Sequence, residues 1–192
     1  MPDDPDVQKR ILRAELRERR QVMPPHEREL AAEGFTSRLQ ELVGSTGAES
    51  LSCYLSMPTE PNTRPFVDWA EARGIRVLFP VTREDGLLDW TVGEDQTEEL
   101  GLLGTSHPGG ELLGPMAIND VDLIVVPAAA VDATGMRLGW GRGYFDKTLG
   151  SMGKCPPVYA VVFDSEFVER VPREVHDQPV NGLVTPTRII AF

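Results

Sequence analysis

Residues 121–126, VDLIVV, and residues 137–146, RLGWGRGYFD, together predict a buried strand, a glycine-rich loop and the start of a helix. Glycine stands at every second position from 139 to 143. Because glycine accepts positive φ and leaves room beside the backbone, such a run lets several N–H groups approach one anion. Arg142 can add two parallel hydrogen bonds to a phosphate. The stretch therefore predicts a nucleotide-phosphate loop, although it is neither a Walker A loop nor the dinucleotide fingerprint.

A glycine-rich segment between a strand and a helix can also be no more than a tight turn. The phosphate interpretation is favoured because the same ten residues hold arginines, aromatic rings and one carboxylate, which a turn does not require. The carboxylate, Asp146, can hold a divalent cation beside a phosphate. Alternatively, its charge only stabilises the first turn of the helix.

Strands and helices alternate outward from this loop in both directions along the chain. Helices are predicted over residues 6–22, 25–44, 63–73 and 143–150, and strands over 51–55, 75–80, 87–92, 121–126, 158–163 and 183–185. Residues 93–120, rich in glycine and proline, are expected to form an extended surface loop. Near-continuous apolar strands that alternate with helices indicate an α/β fold with a sheet covered on both faces. The sequence predicts one domain over residues 1–192, a three-layer α/β/α arrangement with a mostly parallel central sheet.

Composition and charge narrow the possible functions. The chain has 192 residues, of which 41% are hydrophobic and 26% charged, with a net charge of −11. An acidic chain is a poor candidate for general binding of nucleic acid, so no such partner is expected. No apolar run approaches the ~20 residues of a membrane span, and no apolar signal segment is visible at the start. We expect a cytoplasmic protein with no membrane partner, in which Cys53 and Cys155 are free thiols.

One basic segment stands out from this acidic background. Residues 7–22 hold six basic side chains against two acidic ones. Lys9, Arg13 and Arg17 recur every four residues, so they share one face of the predicted helix. Such a stripe can meet a polyanion, and ATP is the natural candidate beside a phosphate loop. The alternative is a solvated helix face whose exposed charges contribute little to folding.

Four blocks of sequence resemble one known family. They are the loop at 137–146, preceded by Val131-Asp132-x-x-Gly135; Lys9-x-x-x-Arg13; Tyr54-x-Ser56-x-x-x-Glu60-x-x-Thr63; and Pro172-x-x-x-His176-Asp177. In this order and over nearly the full length, the chain resembles the 5-formyltetrahydrofolate cyclo-ligase family, also called methenyltetrahydrofolate synthetase.

The resemblance implies an ATP-dependent cyclisation. 5-Formyltetrahydrofolate and Mg-ATP would give 5,10-methenyltetrahydrofolate, ADP and phosphate. The γ-phosphoryl group passes to the formyl oxygen, N10 attacks the activated carbon, and phosphate departs. Positioning and charge stabilisation supply most of the catalysis in such a transfer. The implied partners are a reduced folate and ATP, the implied cofactor is Mg²⁺, and a monomer is favoured.

The resemblance also implies roles for individual residues. ATP would contact Lys9, Arg13 and the loop residues Arg137, Leu138, Gly139, Trp140, Gly141, Arg142, Gly143, Tyr144 and Phe145. The folate would contact Leu55, Glu60, Trp140, Gly141, Arg142, Gly143 and Tyr144. Glu60 would accept hydrogen bonds from the pterin ring. Arg142 and Tyr144 would be catalytic, and Asp146 and Asp177 would bind Mg²⁺.

The chain departs from the family pattern at several positions. His107-Pro108 stands where many members have Glu-Pro, Thr185-Pro186 stands where Thr-Glu is common, and Trp140 fills a variable position between two glycines. The indole either narrows the folate pocket or only covers the loop. Two other functions stay open from the sequence: a catalytically silent regulatory homologue, and an ATP-dependent ligase that acts on a related pteridine.

Overall fold

The computed structural model describes residues 4–192 apart from 94–96, 103, 154 and 176. The described residues form four α-helices: α1 (Pro5–Val22), α2 (Pro25–Thr46), α3 (Arg64–Ala72) and α4 (Tyr144–Ser151). All four were predicted, but α2 runs past Gly44 and ends at Gly47, whose N–H donates to the carbonyl of Val43. None of the helices in this part of the chain is long and apolar enough to cross a bilayer.

Short strands make up most of the remaining regular structure. In chain order they are β1 (Ser50–Ser52), β2 (Arg76–Thr82), β3 (Leu88–Val92), β4 (Glu98–Leu100), β5 (Ser106–Pro108), β6 (Leu112–Leu113), β7 (Leu123–Pro127), β8 (Ala130–Asp132), β9 (Arg137–Leu138), β10 (Val158–Val161), β11 (Phe167–Val168), β12 (Gly182–Val184) and β13 (Ile189–Ala191). Two 3₁₀-helices span Pro115–Asp120 and Asp164–Glu166.

Eight of these strands form one sheet in the order β13-β12-β10-β7-β1-β2-β3-β6. The five strands from β12 to β2 are parallel, and the other three join the sheet antiparallel. After β1 the chain moves first to one side, to β2, and later to the other side, to β7. A reversal of this kind opens a crevice at the carboxyl ends of the two central strands, where ligands bind in such folds.

Apolar side chains on successive strand residues point to opposite faces of the sheet, and helices cover both faces. Helices α2 and α3 cover one face with an apolar cluster that includes Phe35, Leu39 and Phe66 against Leu51 and Val125. On the other face, α4 and the 3₁₀-helix Pro115–Asp120 belong to a second cluster built around Trp90, Ile124 and Leu149. The predicted three-layer α/β/α fold with a mostly parallel sheet is confirmed.

The prediction of a loop over residues 93–120 was wrong. This region contains the hairpin β4–β5, the edge strand β6 and a 3₁₀-helix. Each strand has at most three residues, and all of β4 is exposed. Elements this short do not show the alternation of buried and exposed residues on which recognition of a strand depends.

A second small sheet, with the order β11-β8-β9, was also missed. Its β8–β9 hairpin is closed by Asp132, whose Oδ1 accepts hydrogen bonds from the backbone N–H groups of Thr134 and Met136. The other oxygen of Asp132 accepts from the N–H of Val171. Leu16 of α1 packs on this sheet against Leu138. The small sheet thus fixes the strand from which the glycine-rich loop begins.

Candidate active site

The glycine-rich loop, residues 139–143, leads into helix α4, which the sequence predicts, but it begins at β9 and not directly after the strand at 121–126. Gly141 and Gly143 have φ of 96° and 68°, in the region that side chains disfavour. Gly143 directly precedes the first residue of α4. The loop therefore aims the start of a helix, with its free N–H groups, toward the carboxyl edge of the main sheet.

A cavity of about 220 Å³ lies between this loop and the carboxyl ends of β1, β2 and β7. It is lined by Tyr54, Met57, Glu60, Pro80, Thr82, Leu88, Thr105, Ser106, Pro127, Arg137, Gly139, Trp140, Arg142, Gly143, Tyr144, Phe145 and Asp146. Nine of these are predicted site residues. The lining does not include the other six: Lys9, Arg13, Leu55, Leu138, Gly141 and Asp177. A larger cavity, about 560 Å³, adjoins it and shares Met57 and Glu60.

Arg13 of α1 lies directly against the loop. Its Nε donates to the carbonyl oxygen of Gly139 at 2.7 Å. A Cβ placed on Gly141 would come within 3.4 Å of the guanidinium carbon of Arg13. Burial lowers the pKa of Arg13, and the negative charge of nearby Asp177 opposes that shift. Arg13 thus ties α1 to the loop and brings one positive charge to it.

Lys9 is not on a solvated helix face. Its side chain is buried, and Nζ lies 2.6 Å from Glu174 Oε2 and 2.6 Å from Asp177 Oδ2. Burial by itself would lower the pKa of Lys9, but the two carboxylates outweigh it and raise the pKa. Asp177 Oδ2 also accepts the backbone N–H of Glu174 at 2.7 Å. The alternative of a solvated helix face therefore does not apply to Lys9.

Asp146 and Asp177 lie on neighbouring segments, and each already faces a cation. Arg137 Nη2 donates to Asp146 Oδ1 at 2.7 Å, and the backbone N–H of Gln178 approaches the same oxygen at 3.4 Å. Among the described residues, no three His, Cys, Asp or Glu side chains group closely enough to hold a metal alone. Mg²⁺ commonly takes one or two carboxylates and completes its shell with water and phosphate, so this pair fits it.

Arg142 differs from the other basic residues near the loop. It is exposed, and within the described ranges it makes no hydrogen bond or ion pair. Tyr144, the first residue of α4, is partly buried and donates through Oη to the carbonyl oxygen of Arg83 at 3.1 Å. The loop therefore presents an unattached guanidinium beside a fixed aromatic ring.

Glu60 lies across the cavity from the loop. Its Oε2 accepts the backbone N–H of Met57 at 2.9 Å, which orients the carboxylate in the turn after β1. Burial raises the pKa of Glu60, and the hydrogen bond from Met57 and the charge of Arg20 oppose that rise. Leu55 does not reach this cavity: it packs against the apolar cluster under α2 and lines a separate cavity with Phe79.

Arg20 was not among the predicted site residues, and its side chain is almost completely buried at 2% exposure. Its Nε and Nη2 bind the two carboxylate oxygens of Glu166 at 2.6 and 2.8 Å. Its guanidinium also lies 4.8 Å from the centre of the Trp140 ring. Arg20 continues the stripe of Lys9, Arg13 and Arg17 at helical spacing, and this was the signal that could have identified it.

Comparison with known proteins agrees with these features. The family model described as "5-formyltetrahydrofolate cyclo-ligase family" matches residues 5–186. The chain belongs to the 5-formyltetrahydrofolate cyclo-ligase family. Two curated cyclo-ligases are similar over most of their length. That of Mycolicibacterium smegmatis is 33% identical over 182 residues, 92% of this chain and 93% of that protein. That of Escherichia coli K12 is 27% identical over 179 residues, 91% and 98% of the two chains.

Solved structures similar to this cyclo-ligase family member support the same conclusion. The 5,10-methenyltetrahydrofolate synthetase of Aquifex aeolicus aligns with a TM-score of 0.77 at 27% identity, covering 95% of this chain and 92% of that one. The synthetase of Mycoplasma pneumoniae aligns with a TM-score of 0.75 at 16% identity, covering 93% and 98%. At that lower identity the likeness shows the fold alone.

Two residues of the family blocks lie apart from the cavity or outside the described residues. His107 is a buried residue of β5, and its Nδ1 lies 3.0 Å from the carbonyl oxygen of Pro108. It does not line the 220 Å³ cavity, so the position where many cyclo-ligases have Glu faces elsewhere in this chain. His176 is outside the described residues.

Proposed function

We propose that this chain converts 5-formyltetrahydrofolate and ATP to 5,10-methenyltetrahydrofolate, ADP and phosphate. The observation that carries the proposal is the cavity itself, in which the glycine-rich loop faces Glu60 at the point where the strand order reverses. We propose that the enzyme acts as a monomer. We further propose that residues 1–192 act as a single domain.

The proposed reaction has two stages. First the formyl oxygen attacks the γ-phosphorus of ATP, the bond to ADP breaks, and a phosphorylated iminium forms at N5. Then N10 attacks the activated carbon, N10 passes its proton to solvent, and the C–O bond breaks to release phosphate. No covalent bond to the protein forms, which agrees with a site rich in cations and backbone N–H groups.

Binding of Mg-ATP would replace ion pairs that are already present in the protein. Lys9 and Arg137 now neutralise Asp177 and Asp146. We assign these two cations to the phosphates and the two carboxylates to Mg²⁺. When bound, Mg²⁺ would offset the negative charge of the triphosphate. Each cation begins with a carboxylate beside it, and Lys9 also faces Glu174, so neither ATP nor the metal alone would engage all four groups.

On the chemical side, Arg142 and Tyr144 are the proposed catalytic residues. Negative charge moves between the phosphoryl oxygens and the formyl oxygen during the reaction. A guanidinium without a fixed partner can follow that charge, and such interactions lower the barrier when they strengthen in the transition state. Tyr144 is held by Arg83 and supplies a ring face and a hydroxyl at the cavity wall.

On the folate side, Glu60 and the loop residues from Trp140 to Tyr144 would form the pocket. Glu60 presents a carboxylate that one backbone N–H already orients, and a pterin ring offers N–H donors for it. Leu55 would act from behind this wall, because it packs in the core and not in the cavity. The loop would thus contact both substrates. The reaction requires this, because the γ-phosphoryl group of ATP and the formyl group of the folate must lie next to each other.

The test is the absorbance band of the methenyl product after the protein is mixed with 5-formyltetrahydrofolate, ATP and MgCl₂. We expect the band to appear at catalytic rates, and to vanish without ATP or with excess chelator. Full activity in chelator would refute the metal assignment alone. No product from a folded protein that binds both substrates would refute the proposed activity and favour the silent homologue.

A further inference from the structure

Arg20 lies behind the cavity wall, between two aromatic rings. Its guanidinium carbon lies 4.8 Å from the ring centre of Trp140 and 5.4 Å from that of Phe163. A planar guanidinium stacks on aromatic faces in a way that an ammonium group does not. Arg20 therefore contacts the inner side of a ring that lines the cavity.

Three further contacts fix the position of Arg20. Two are the bonds to Glu166, and the third runs from Nη2 to the carbonyl oxygen of Ala128 at 2.8 Å. Glu166 is itself held, because its Oε2 accepts the backbone N–H of Phe163 at 2.8 Å. The guanidinium therefore joins α1 to the segments that follow β7 and β10, all at the carboxyl edge of the sheet.

Trp140, in contrast, has no hydrogen bond of its own to fix it. Its Nε1 is buried without a partner among the described residues. Two guanidinium groups of α1 lie over its ring, Arg20 at 4.8 Å and Arg17 at 5.5 Å. Arg17 is exposed, whereas Arg20 is fixed by Glu166, so Arg20 is the rigid support. The indole also packs against the apolar cluster that includes Leu16 and Leu138, and Arg20 is the fixed charged group beside it that does not line the cavity.

We propose that Arg20 is a positioning residue for folate binding, which holds the Trp140 indole in place as one wall of the pocket. It acts through Trp140 and does not touch the substrate. This inference rests on the proposed function, because it assigns the wall at Trp140 to the folate. The charge of Arg20 has a second, smaller effect in the same direction: it opposes the burial that raises the pKa of Glu60, and so favours the ionised carboxylate.

The decisive variant is Arg20→Lys, compared with Arg19→Lys at the exposed neighbouring position. Lysine keeps the charge and one bond to Glu166, but it cannot stack on the indole and bind Ala128 as well. We expect the KM for 5-formyltetrahydrofolate to rise about tenfold, equivalent to about 1.4 kcal/mol. The KM for ATP and kcat should stay within about twofold, and Arg19→Lys should change none of the three. If both KM values rise and kcat falls to a similar extent, the role of Arg20 is merely structural and the proposal is overturned.

A double-mutant cycle tests whether Arg20 acts through the indole. In a Trp140→Ala background there is no ring to hold, so Arg20→Lys should raise the folate KM by less than about twofold. An equal tenfold rise in both backgrounds would overturn the proposal. If Arg20→Lys fails to fold, the pair Arg20→Met and Glu166→Leu replaces the ion pair with apolar side chains, which cores often tolerate. The same selective rise in folate KM is then expected, and its absence would refute the role.

Fluorescence separates this inference from the proposed activity. The chain has three tryptophans, so subtracting the emission of Trp140→Phe isolates that of Trp140. We expect Arg20→Lys to make Trp140 more accessible to acrylamide, and Arg19→Lys to leave it unchanged. If the parent protein makes no methenyl product, the proposed activity fails while this quenching result still reports on Arg20. Unchanged quenching in Arg20→Lys would refute the positioning role even in an active enzyme.

Discussion

The basic residues around the cavity are of two kinds. Lys9, Arg20 and Arg137 are buried, and each faces a carboxylate at 2.6–2.7 Å. Arg142 is exposed and makes no ion pair within the described part of the chain. Three of these positive charges are therefore part of the folded interior, whereas the proposed role of Arg142 is toward the substrates.

The two kinds should respond differently to substitution. Removing a buried cation leaves its carboxylate without the opposite charge that it faces, so stability falls with activity. Removing a solvated cation leaves nothing unpaired in the folded protein. The ratio of lost activity to lost stability therefore distinguishes them.

The largest effect is expected at Arg142. Arg142→Ala should lower kcat by about 10²-fold or more, equivalent to about 2.7 kcal/mol, because charge at the transferring oxygens changes most in the transition state. The melting temperature should not change. Steady-state kinetics and a melting curve on the same preparation measure both quantities.

Arg142→Lys is the matched control for charge without the planar fork, and it should recover much of the lost rate. If Arg142→Ala instead lowers both the melting temperature and the affinity for ATP, Arg142 is a structural cation like Lys9, Arg20 and Arg137. The distinction between the two kinds of basic residue would then be wrong.

Glu60 should give the next largest effect. Glu60→Gln should raise the folate KM about 10- to 150-fold, the loss of about 1.5–3 kcal/mol for a hydrogen bond to a charged group. The KM for ATP should hardly change, because Glu60 lies across the cavity from the loop. Equal losses for both substrates would point to a folding defect and remove Glu60 from the folate pocket.

Substitution of Lys9 tests the expectation for the buried cations. Lys9→Met should weaken ATP binding and also lower the free energy of unfolding by about 1–3 kcal/mol, since Glu174 and Asp177 lose their shared donor. In the absence of ATP, the variant should bind Mn²⁺ more tightly than the parent, because the ammonium no longer competes for Asp177. Denaturant unfolding and metal titration measure the two effects.

Arg38→Ala is the control for Lys9, because Arg38 forms a surface ion pair with Glu41 one turn away. Such pairs contribute about 0.3–0.5 kcal/mol. If Lys9→Met lowers the free energy of unfolding no more than Arg38→Ala does, Lys9 contributes to stability only as a solvated cation would.

The smallest effect concerns pH. Burial raises the pKa of Glu60, and folate binding is assigned to its ionised form. The folate KM should therefore fall as pH rises through this raised pKa, by about tenfold per unit on the steep side and then level off. Glu60→Gln should abolish the dependence. A parent and variant with the same profile would assign the titration to another group.

The sequence predicted the parts of this architecture that repeat a local pattern over several residues. The helices and the strands of the main sheet were recognised because apolar residues recur at helical or strand spacing, as in VDLIVV. Strands β4, β8 and β9 have two or three residues and show no such repeat. The order of the strands in the sheet could not be predicted, because the sequence of a single strand does not show which distant strand pairs with it.

Within the candidate site, the resemblance identified which residues to examine but not what they contact. Lys9 and Asp177 were assigned to different ligands, ATP and metal, yet they pair with each other. Arg20 was missed because its partner Glu166 is 146 residues away and no motif joins them. Spacing along a helix predicts a shared face, but whether that face is solvated depends on the rest of the fold.

The distance along the chain between these partners has a consequence for synthesis. Lys9 and Asp177 are separated by 168 residues, which a ribosome takes roughly 10–30 s to join. During that time α1 is complete but lacks the carboxylates that make its burial favourable, so it stays undocked and carries excess positive charge. The ion pairs of Lys9 and Arg20 can form only after Asp177 and Glu166 have left the ribosome. A nascent chain arrested before that point exposes the inner face of α1 to proteases and chaperones.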